Sequence, residues 1–465
     1  MLSRAFAKHA GWLCAFLLSA CGGGGNSGSI TQPSPAPTVV DSCGVESQKE
    51  FVIAVAQDWY LWFDEMAVVN PASFNTADSY LSALTAPLAE DFRDLGFSYL
   101  TTVAEDEANF TSRAFVGFGF RFAIDDDGRY LISDAFEGAP AFRAGFARGT
   151  QILAVDAGDG YVTMRQYEEQ DASLDDIFGG SVEGLERGFQ LQVGSETVEL
   201  IVAKENLDVP PLAAAPRALE RPGLAPVGYI HLRSFTLSAR PALNDAFAEL
   251  AGQGISDFVV DLRYNGGGLV DIADLFLDLL GGAVANGDVA YQVKHNDKRV
   301  AENISYVFDD QPASASPLRI AFITSEATAS ASELLIHSLE PFVEIVLVGS
   351  DTTGKAVGQY AFDQRGCDTR LRLVSFESVN GEGFGGYYTG LIDTGRFTLC
   401  ELEDDYSGAF GSTDDVLTAG ALAWLNEGTC PTRPNSSSTA SNGIRRAAFP
   451  ITGRDRPDRR SSWVQ

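Results

Sequence analysis

Apolar and polar positions follow two alternating patterns in the second half of the chain. Continuous apolar runs indicate buried strands at 227–232, 257–262, 320–324 and 344–348. Between these runs, apolar residues recur at helical spacing over 242–250 and 270–280, and again after Ser330. Strands that alternate with helices predict an α/β core, with a parallel-rich mixed sheet and flanking helices, over residues 206–430.

The first half of the chain carries two other patterns. Residues 44–111 predict an N-terminal helical domain, because apolar and aromatic residues from Phe51 to Phe63 recur at helical spacing. Residues 112–205 are strand-rich and predict a small β-rich domain. The proline- and alanine-rich stretch 206–225 indicates a linker into the core.

The first 20 residues are predicted to be a signal peptide. Arg4 and Lys8 precede a short apolar run, and Leu18-Ser19-Ala20-Cys21 resembles a bacterial lipobox. The resemblance implies cleavage before Cys21 and lipidation of its sulfur, and an ordinary signal peptide with a chance cysteine is the alternative. We expect 21–43 to be a flexible tether and 431–465 a disordered tail.

Gly22 follows the lipobox, where an aspartate usually retains such lipoproteins in the inner membrane. We therefore expect a lipid-anchored protein on the periplasmic side of a bacterial membrane, with the outer membrane favoured. No later stretch is long and apolar enough to span a bilayer, so lipid would be the only anchor.

The composition of the chain limits the kinds of partner that it can bind. The hydrophobic fraction of 45% is typical of a globular chain, and the net charge of -30 argues against nucleic acid as a partner. Four cysteines follow the lipobox, and an even number in an exported chain predicts two disulfides. Three pairings are possible, and we favour Cys367–Cys400 and Cys43–Cys430.

One serine and one lysine carry the strongest chemical signal. Ser330 follows an apolar strand and precedes a helix, so backbone N–H groups at the helix start can stabilise an oxyanion beside it. A serine hydroxyl needs a base, and Lys355 lies in a glycine-rich loop 25 positions further on. A buried lysine can replace histidine as that base.

Histidine is scarce in this chain. It has four histidines, and His9 leaves with the signal peptide. His337 lies two turns along the helix from Ser330, too far for a hydrogen bond. His231 and His295 stay open as alternative bases.

Residues 112–205 resemble a PDZ domain, and the resemblance rests on the pattern within 116–155. Gly117-Phe118-Gly119-Phe120 is similar to its carboxylate-binding loop, in which backbone N–H groups bind a chain terminus. A short helix ending at Gly145, a turn at Gly149 and a following strand complete the resemblance. Thr150 stands where the pattern usually has aspartate.

The chain as a whole resembles the C-terminal processing, or tail-specific, serine peptidases over residues 45–428. Their serine motif appears as Thr328-Ala329-Ser330-Ala331-Ser332-Glu333, their lysine as Lys355, and their lysine-orienting glutamine as Gln359. The resemblance implies a Ser–Lys dyad and an oxyanion hole built from Gly267 or Gly268 with the Ala331 N–H. Gly266 replaces the usual proline.

The resemblance implies a PDZ-guided endopeptidase that cleaves unfolded or tail-exposed proteins near the C-terminus through an acyl-enzyme. We expect no cofactor and no metal, and the sequence does not identify an adaptor or an oligomer. One alternative is a catalytically weak lipoprotein that binds or senses peptides through the PDZ domain. Another is a tricorn-type peptidase with a histidine base, for which His231 is the best candidate.

Overall fold

A computed structural model describes residues 43–431. The predicted signal peptide, Cys21, the tether up to residue 42 and the tail from residue 432 lie outside the described residues. The N-terminal part is mostly helical, as expected. Its elements are α1 (Val45–Trp59), α2 (Ala77–Glu90), β1 (Tyr99–Thr101) and α3 (Val103–Thr111).

The next part is the β-rich unit. Its first elements are β2 (Phe115–Gly117), β3 (Phe120–Ile124), β4 (Tyr130–Ala135), α4 (Pro140–Arg143), β5 (Gln151–Asp156) and β6 (Tyr161–Thr163). It continues with α5 (Met164–Glu169), α6 (Leu174–Phe178), β7 (Glu186–Val193), β8 (Glu196–Ala203) and β9 (Glu205–Leu207). Strands β3, β4, β5, β7 and β8 form one sheet in that order, and the unit has its own aromatic core around Phe118, Phe120 and Phe189.

The remaining elements form the α/β core. They begin with β10 (Arg217–Leu219), β11 (Val227–His231), α7 (Ala239–Leu250), β12 (Asp257–Asp261), α8 (Val270–Ala285), β13 (Val289–His295) and β14 (Ile304–Val307). They end with β15 (Arg319–Thr324), α9 (Ala331–Leu339), β16 (Glu344–Gly349), β17 (Val357–Asp363), β18 (Arg370–Asn380), β19 (Thr398–Glu401) and α10 (Val416–Glu427).

The core sheet has the order β10-β11-β12-β15-β16-β19. Every neighbouring pair is parallel except β10 with β11, so the expected parallel-rich mixed sheet is confirmed. Its four central strands, β11, β12, β15 and β16, are mostly buried, which explains their continuous apolar runs. Because parallel strands end at one edge, the loops after β12 and β15 come together there.

A second, antiparallel sheet contains β1, β18, β13 and β14, with β17 paired to β18. Helices of the N-terminal part pack into the same apolar cluster as this sheet and α9; the cluster includes Phe51, Leu81, Leu335 and Leu373. The N-terminal part therefore shares its core with the α/β elements. The predicted linker also contributes structure, since β10 pairs with β11.

The favoured disulfide pairing was wrong. The structure joins Cys43 to Cys367 and Cys400 to Cys430. The physical reason is packing: α1 lies against β18, which brings Cys43 to the turn between β17 and β18. Cys400 in β19 meets Cys430 just beyond α10, in the apolar cluster on the other face of the core sheet.

Candidate active site

Ser330 occupies the junction between β15 and α9, as the sequence predicts. Its backbone has φ 57° and ψ -115°, a region that residues other than glycine rarely adopt. Such a conformation costs about 1–3 kcal/mol and persists only where the surroundings impose it. The immediate constraint is Glu333, whose Oε2 accepts the Ser330 N–H at 2.8 Å.

The same carboxylate reaches the lysine loop. Glu333 Oε2 also accepts the Lys355 N–H at 2.9 Å, and Oε1 accepts the Gly354 N–H at 2.7 Å. Two nitrogens bound to one oxygen at these hydrogen-bond lengths lie within about 6 Å of each other. Ser330 and Lys355 are therefore neighbours, although 25 positions separate them.

Lys355 is 7% exposed, and contacts hold its side chain in place. Its Nζ donates to Gln359 Oε1 at 2.6 Å and lies 4.9 Å from the centre of the Phe97 ring. Gln359 Nε2 in turn donates to the Phe97 carbonyl, which fixes the amide. Sequence reasoning missed Phe97, because no local motif marks a residue that reaches the lysine from the N-terminal part.

The glycine-rich loop after β12 lies against Ser330. A Cβ placed on Gly267 would lie 2.8 Å from Ser330 Cβ and 2.9 Å from the Ala331 nitrogen. Gly267 has φ 98° and Gly268 has φ 145°, which favour glycine at both positions. Only a residue without a side chain fits between the loop and the serine.

The N–H groups around Ser330 differ in their partners. The Gly267 N–H donates to Asn265 Oδ1 at 2.9 Å, and Asn265 is itself held by the Leu232 carbonyl. Within residues 43–431, the Gly268 and Ala331 N–H groups have no hydrogen-bond acceptor. These two donors are therefore the ones available to a ligand oxygen.

A buried charge network supports the glycine loop. Arg263 is 1% exposed and pairs with Asp261 and Asp415, its Nη2 lying 2.7 Å from Asp415 Oδ2. Asp404 contacts the Tyr264 hydroxyl and Arg148 of the β-rich unit. Buried charges of this kind are tolerated only when paired, so the network ties the loop to its neighbours on both sides.

The three histidines within residues 43–431 are buried and held by other partners. His231 is 2% exposed and packs edge-on against Phe410, and burial lowers its pKa well below the usual value. His337 is fully buried, donates from Nδ1 to the Glu333 carbonyl, and burial lowers its pKa to about 4. His295 bonds to Asn303 and Tyr360. Such burial argues against His231 as a base that exchanges protons with a substrate.

The predicted carboxylate-binding loop lies in the β-rich unit, between β2 and β3. The Phe118 and Phe120 side chains are fully buried in that unit's core, so neither side chain is available to a ligand. Gly119 has φ 84°, and a Cβ there would lie 2.2 Å from Ala139 Cβ. The helix start at Ala139 therefore packs directly on this loop.

The β-rich unit is joined to the core by a buried ion pair. Arg233, just after β11, donates two hydrogen bonds to Asp134 of β4, at 2.7 and 2.8 Å. Burial alone would raise the pKa of Asp134, but the guanidinium of Arg233 holds it below the usual value. The β-rich unit and the α/β core are thus joined by a buried ion pair.

Family models match two parts of the chain. Residues 226–383 match peptidase family S41, and residues 47–99 match the peptidase S41 N-terminal domain. The first range contains Ser330 and Lys355, and the second contains Phe97.

Individual proteins agree with this match. A carboxyl-terminal-processing protease of Synechocystis sp. is 27% identical over 69% of this chain and 71% of its own length. One of Picosynechococcus sp. is 32% identical over 49% of this chain and 50% of its own length, so the chain spans about half of that relative. The crystal structure of an S41 protease from Bacteroides fragilis covers 86% of this chain and 100% of its own, with 24% identity and a TM-score of 0.67. The chain belongs to peptidase family S41, the family of the C-terminal processing serine peptidases.

Proposed function

We propose that this protein is a serine endopeptidase that uses Ser330 as nucleophile and Lys355 as base. The observation that carries the proposal is the shared contact of Ser330 and Lys355 with one oxygen of Glu333. Gln359, which accepts from the lysine Nζ, supports the role of Lys355 as an oriented base.

The reaction follows from these positions. Neutral Lys355 accepts the hydroxyl proton while Ser330 Oγ attacks the peptide carbonyl, and the Gly268 and Ala331 N–H groups stabilise the oxyanion. Lys355 then returns the proton to the leaving amine as the acyl-enzyme forms. A water molecule, deprotonated by the same lysine, releases the acyl group and restores the serine. The sequence left Gly267 and Gly268 as alternative donors to the oxyanion. Because the Gly267 N–H already donates to Asn265, we assign Gly267 the role of packing against Ser330 instead.

We assign the β-rich unit the role of a PDZ domain that captures the C-terminus of the substrate. The backbone of Gly117–Phe120 would bind the terminal carboxylate, and the buried phenylalanine side chains support a purely main-chain contact there. Substrates would be unfolded or tail-exposed proteins cleaved near the C-terminus. Replacing the free carboxylate of a peptide substrate by an amide should therefore raise KM.

We also propose that Cys21 carries lipid and holds the enzyme on the periplasmic side of a bacterial membrane, with the outer membrane favoured. Among residues 43–431, no helix has the length and apolar character needed to cross a bilayer. Cys21→Ser should shift the protein from the membrane fraction to the soluble periplasmic fraction, and unchanged fractionation would refute the anchor.

The dyad is tested with matched substitutions. Ser330→Ala and Lys355→Ala should each abolish cleavage of an unfolded protein substrate and prevent labelling by a fluorophosphonate. Ser316→Ala, at an exposed serine in the 313–317 loop, and Lys294→Ala are the controls and should keep both activities. Turnover by Ser330→Ala at the wild-type rate would refute the proposal. Peptide binding without turnover or labelling in the wild type would favour the binding-module alternative.

A further inference from the structure

Glu333 is the side chain that connects the two halves of the proposed dyad. It is fully buried, and its carboxylate accepts the N–H groups of Ser330, Gly354 and Lys355. The Thr352 hydroxyl also hydrogen-bonds to it. A buried carboxylate is costly unless such donors surround it, so its retention at this point requires an explanation.

We propose that Glu333 is a positioning residue for the reaction: its ionised carboxylate holds the Ser330 segment and the Lys355 loop together, and protonation weakens that hold. This inference rests on the proposed function, because it assigns Glu333 a role in aligning that nucleophile and that base. The Glu333 carboxylate binds the backbone N–H groups of Ser330 and Lys355, so it acts by fixing the positions of these two residues.

The donor arrangement explains why the ionised form is needed. N–H groups point at both oxygens, and two of them share Oε2. A protonated carboxyl must place a hydrogen on one oxygen, where it opposes an incoming N–H donor. The Oε2 contacts join the two segments, so any loss there lets Ser330 and Lys355 move apart.

The groups around Glu333 bring the pH at which its carboxylate is protonated into a range that activity assays can reach. Burial raises the pKa of Glu333 to about 7, although the hydrogen bonds from Thr352, Gly354, Ser330 and Lys355 lower it. Burial lowers the pKa of His337 on the same helix to about 4, and raises that of the facing Tyr387 well above its usual value. Of these three groups, Glu333 is therefore the one whose charge changes near pH 7.

Protonation of Glu333 is expected to have opposite effects on activity and on stability. Because the folded-state pKa lies above the ordinary glutamate value, the protonated form favours the fold and that contribution is lost as pH rises through about 7. Activity instead requires the ionised form and falls as pH drops below about 7. A group with a purely structural role would change stability without adding an ionisation to the rate profile.

The experiment compares Glu333→Gln and Glu333→Asp with wild type and with Glu340→Gln. Glu340 ends the same helix and pairs with Arg396 at the surface, so its substitution is the matched control. We expect Glu333→Gln to lower kcat roughly 100-fold, the effect of about 1 Å of misplacement, with KM within about threefold. The rate of fluorophosphonate labelling should fall in parallel, and Glu333→Asp should be intermediate.

The pH profile supplies the second readout. The acid limb of wild-type kcat/KM should contain an ionisation near 7 that Glu333→Gln lacks and Glu340→Gln keeps. Activity of Glu333→Gln within threefold of wild type, or an unchanged acid limb, would overturn the inference. If Glu333→Gln does not fold, the comparison of wild type with Glu333→Asp decides, and identical acid limbs count against the role. Ser330→Ala, assayed in parallel, separates the two proposals. An active Ser330→Ala variant would refute the dyad itself. An inactive Ser330→Ala variant together with a fully active Glu333→Gln variant would refute only the role of Glu333.

Discussion

Adding one methyl group to Gly267 should disable the site while leaving the serine and lysine in the sequence untouched. In Gly267→Ala, the new Cβ would lie 2.8 Å from both Ser330 Cβ and the Ala329 carbonyl oxygen, and 2.9 Å from the Ala331 nitrogen. None of these atoms is the far end of a flexible side chain. The loop after β12 and the Ser330 junction must therefore separate.

The size of the effect follows from those distances. Ordinary carbon contacts lie near 3.5–4.0 Å, so the segments must move apart by roughly 0.7 Å or more. A shift approaching 1 Å between a nucleophile and its oxyanion donors costs on the order of 100-fold in rate, or about 2.7 kcal/mol. The φ of 98° at this position adds strain of about 1–3 kcal/mol to the folded state.

Gly266→Ala is the matched control, one residue away in the same loop. A Cβ at Gly266 would meet nothing closer than the Ala327 carbonyl oxygen at 3.9 Å, and its φ is not positive. We expect kcat/KM for a peptide substrate to fall about 100-fold in Gly267→Ala and to stay within threefold of wild type in Gly266→Ala. Equal activity of the two variants would refute the idea that contact with the glycine loop positions Ser330.

Two further substitutions test the surroundings of the site. Gln359→Ala removes the hydrogen-bond acceptor of the Lys355 Nζ and should lower kcat about 10- to 100-fold with little change in melting temperature. Full activity of this variant in steady-state assays would count against Lys355 as an oriented base. Arg233→Met leaves Asp134 buried without its partner and should destabilise the fold by about 3–5 kcal/mol in denaturant titrations. Arg240→Met, which removes an exposed ion pair, should lower the free energy of unfolding by less than about 1 kcal/mol. An equal loss in the two variants would show that the buried pair stabilises the fold no more than the exposed one.

The strands and helices of the core could be predicted from sequence because burial imposes a pattern on them. Residues 320–323, before Ser330, form an apolar run because β15 lies between two parallel neighbours, and the leucines of α9 face one shared core. The loop glycines could be predicted for a similar reason: Gly267 and Gly268 leave no room for a side chain.

Other features depend on tertiary packing and leave no local pattern. Phe97 reaches the lysine only because the N-terminal helices pack into the core. Glu333 looks like an ordinary glutamate in the first turn of a helix, and its role depends on where the Lys355 loop returns. The disulfide pairing failed for the same reason, because the proximity of Cys43 to Cys367 depends on how α1 docks.

The Cys43–Cys367 disulfide makes most of the protein a covalent ring. It closes a loop with a sequence separation of 324 residues, which includes Ser330 and Lys355. A single peptide-bond cut anywhere between these cysteines, by the enzyme itself or by another protease, would leave both fragments joined. Nicked and intact molecules would therefore migrate together near full size under denaturing, non-reducing conditions and separate only after reduction.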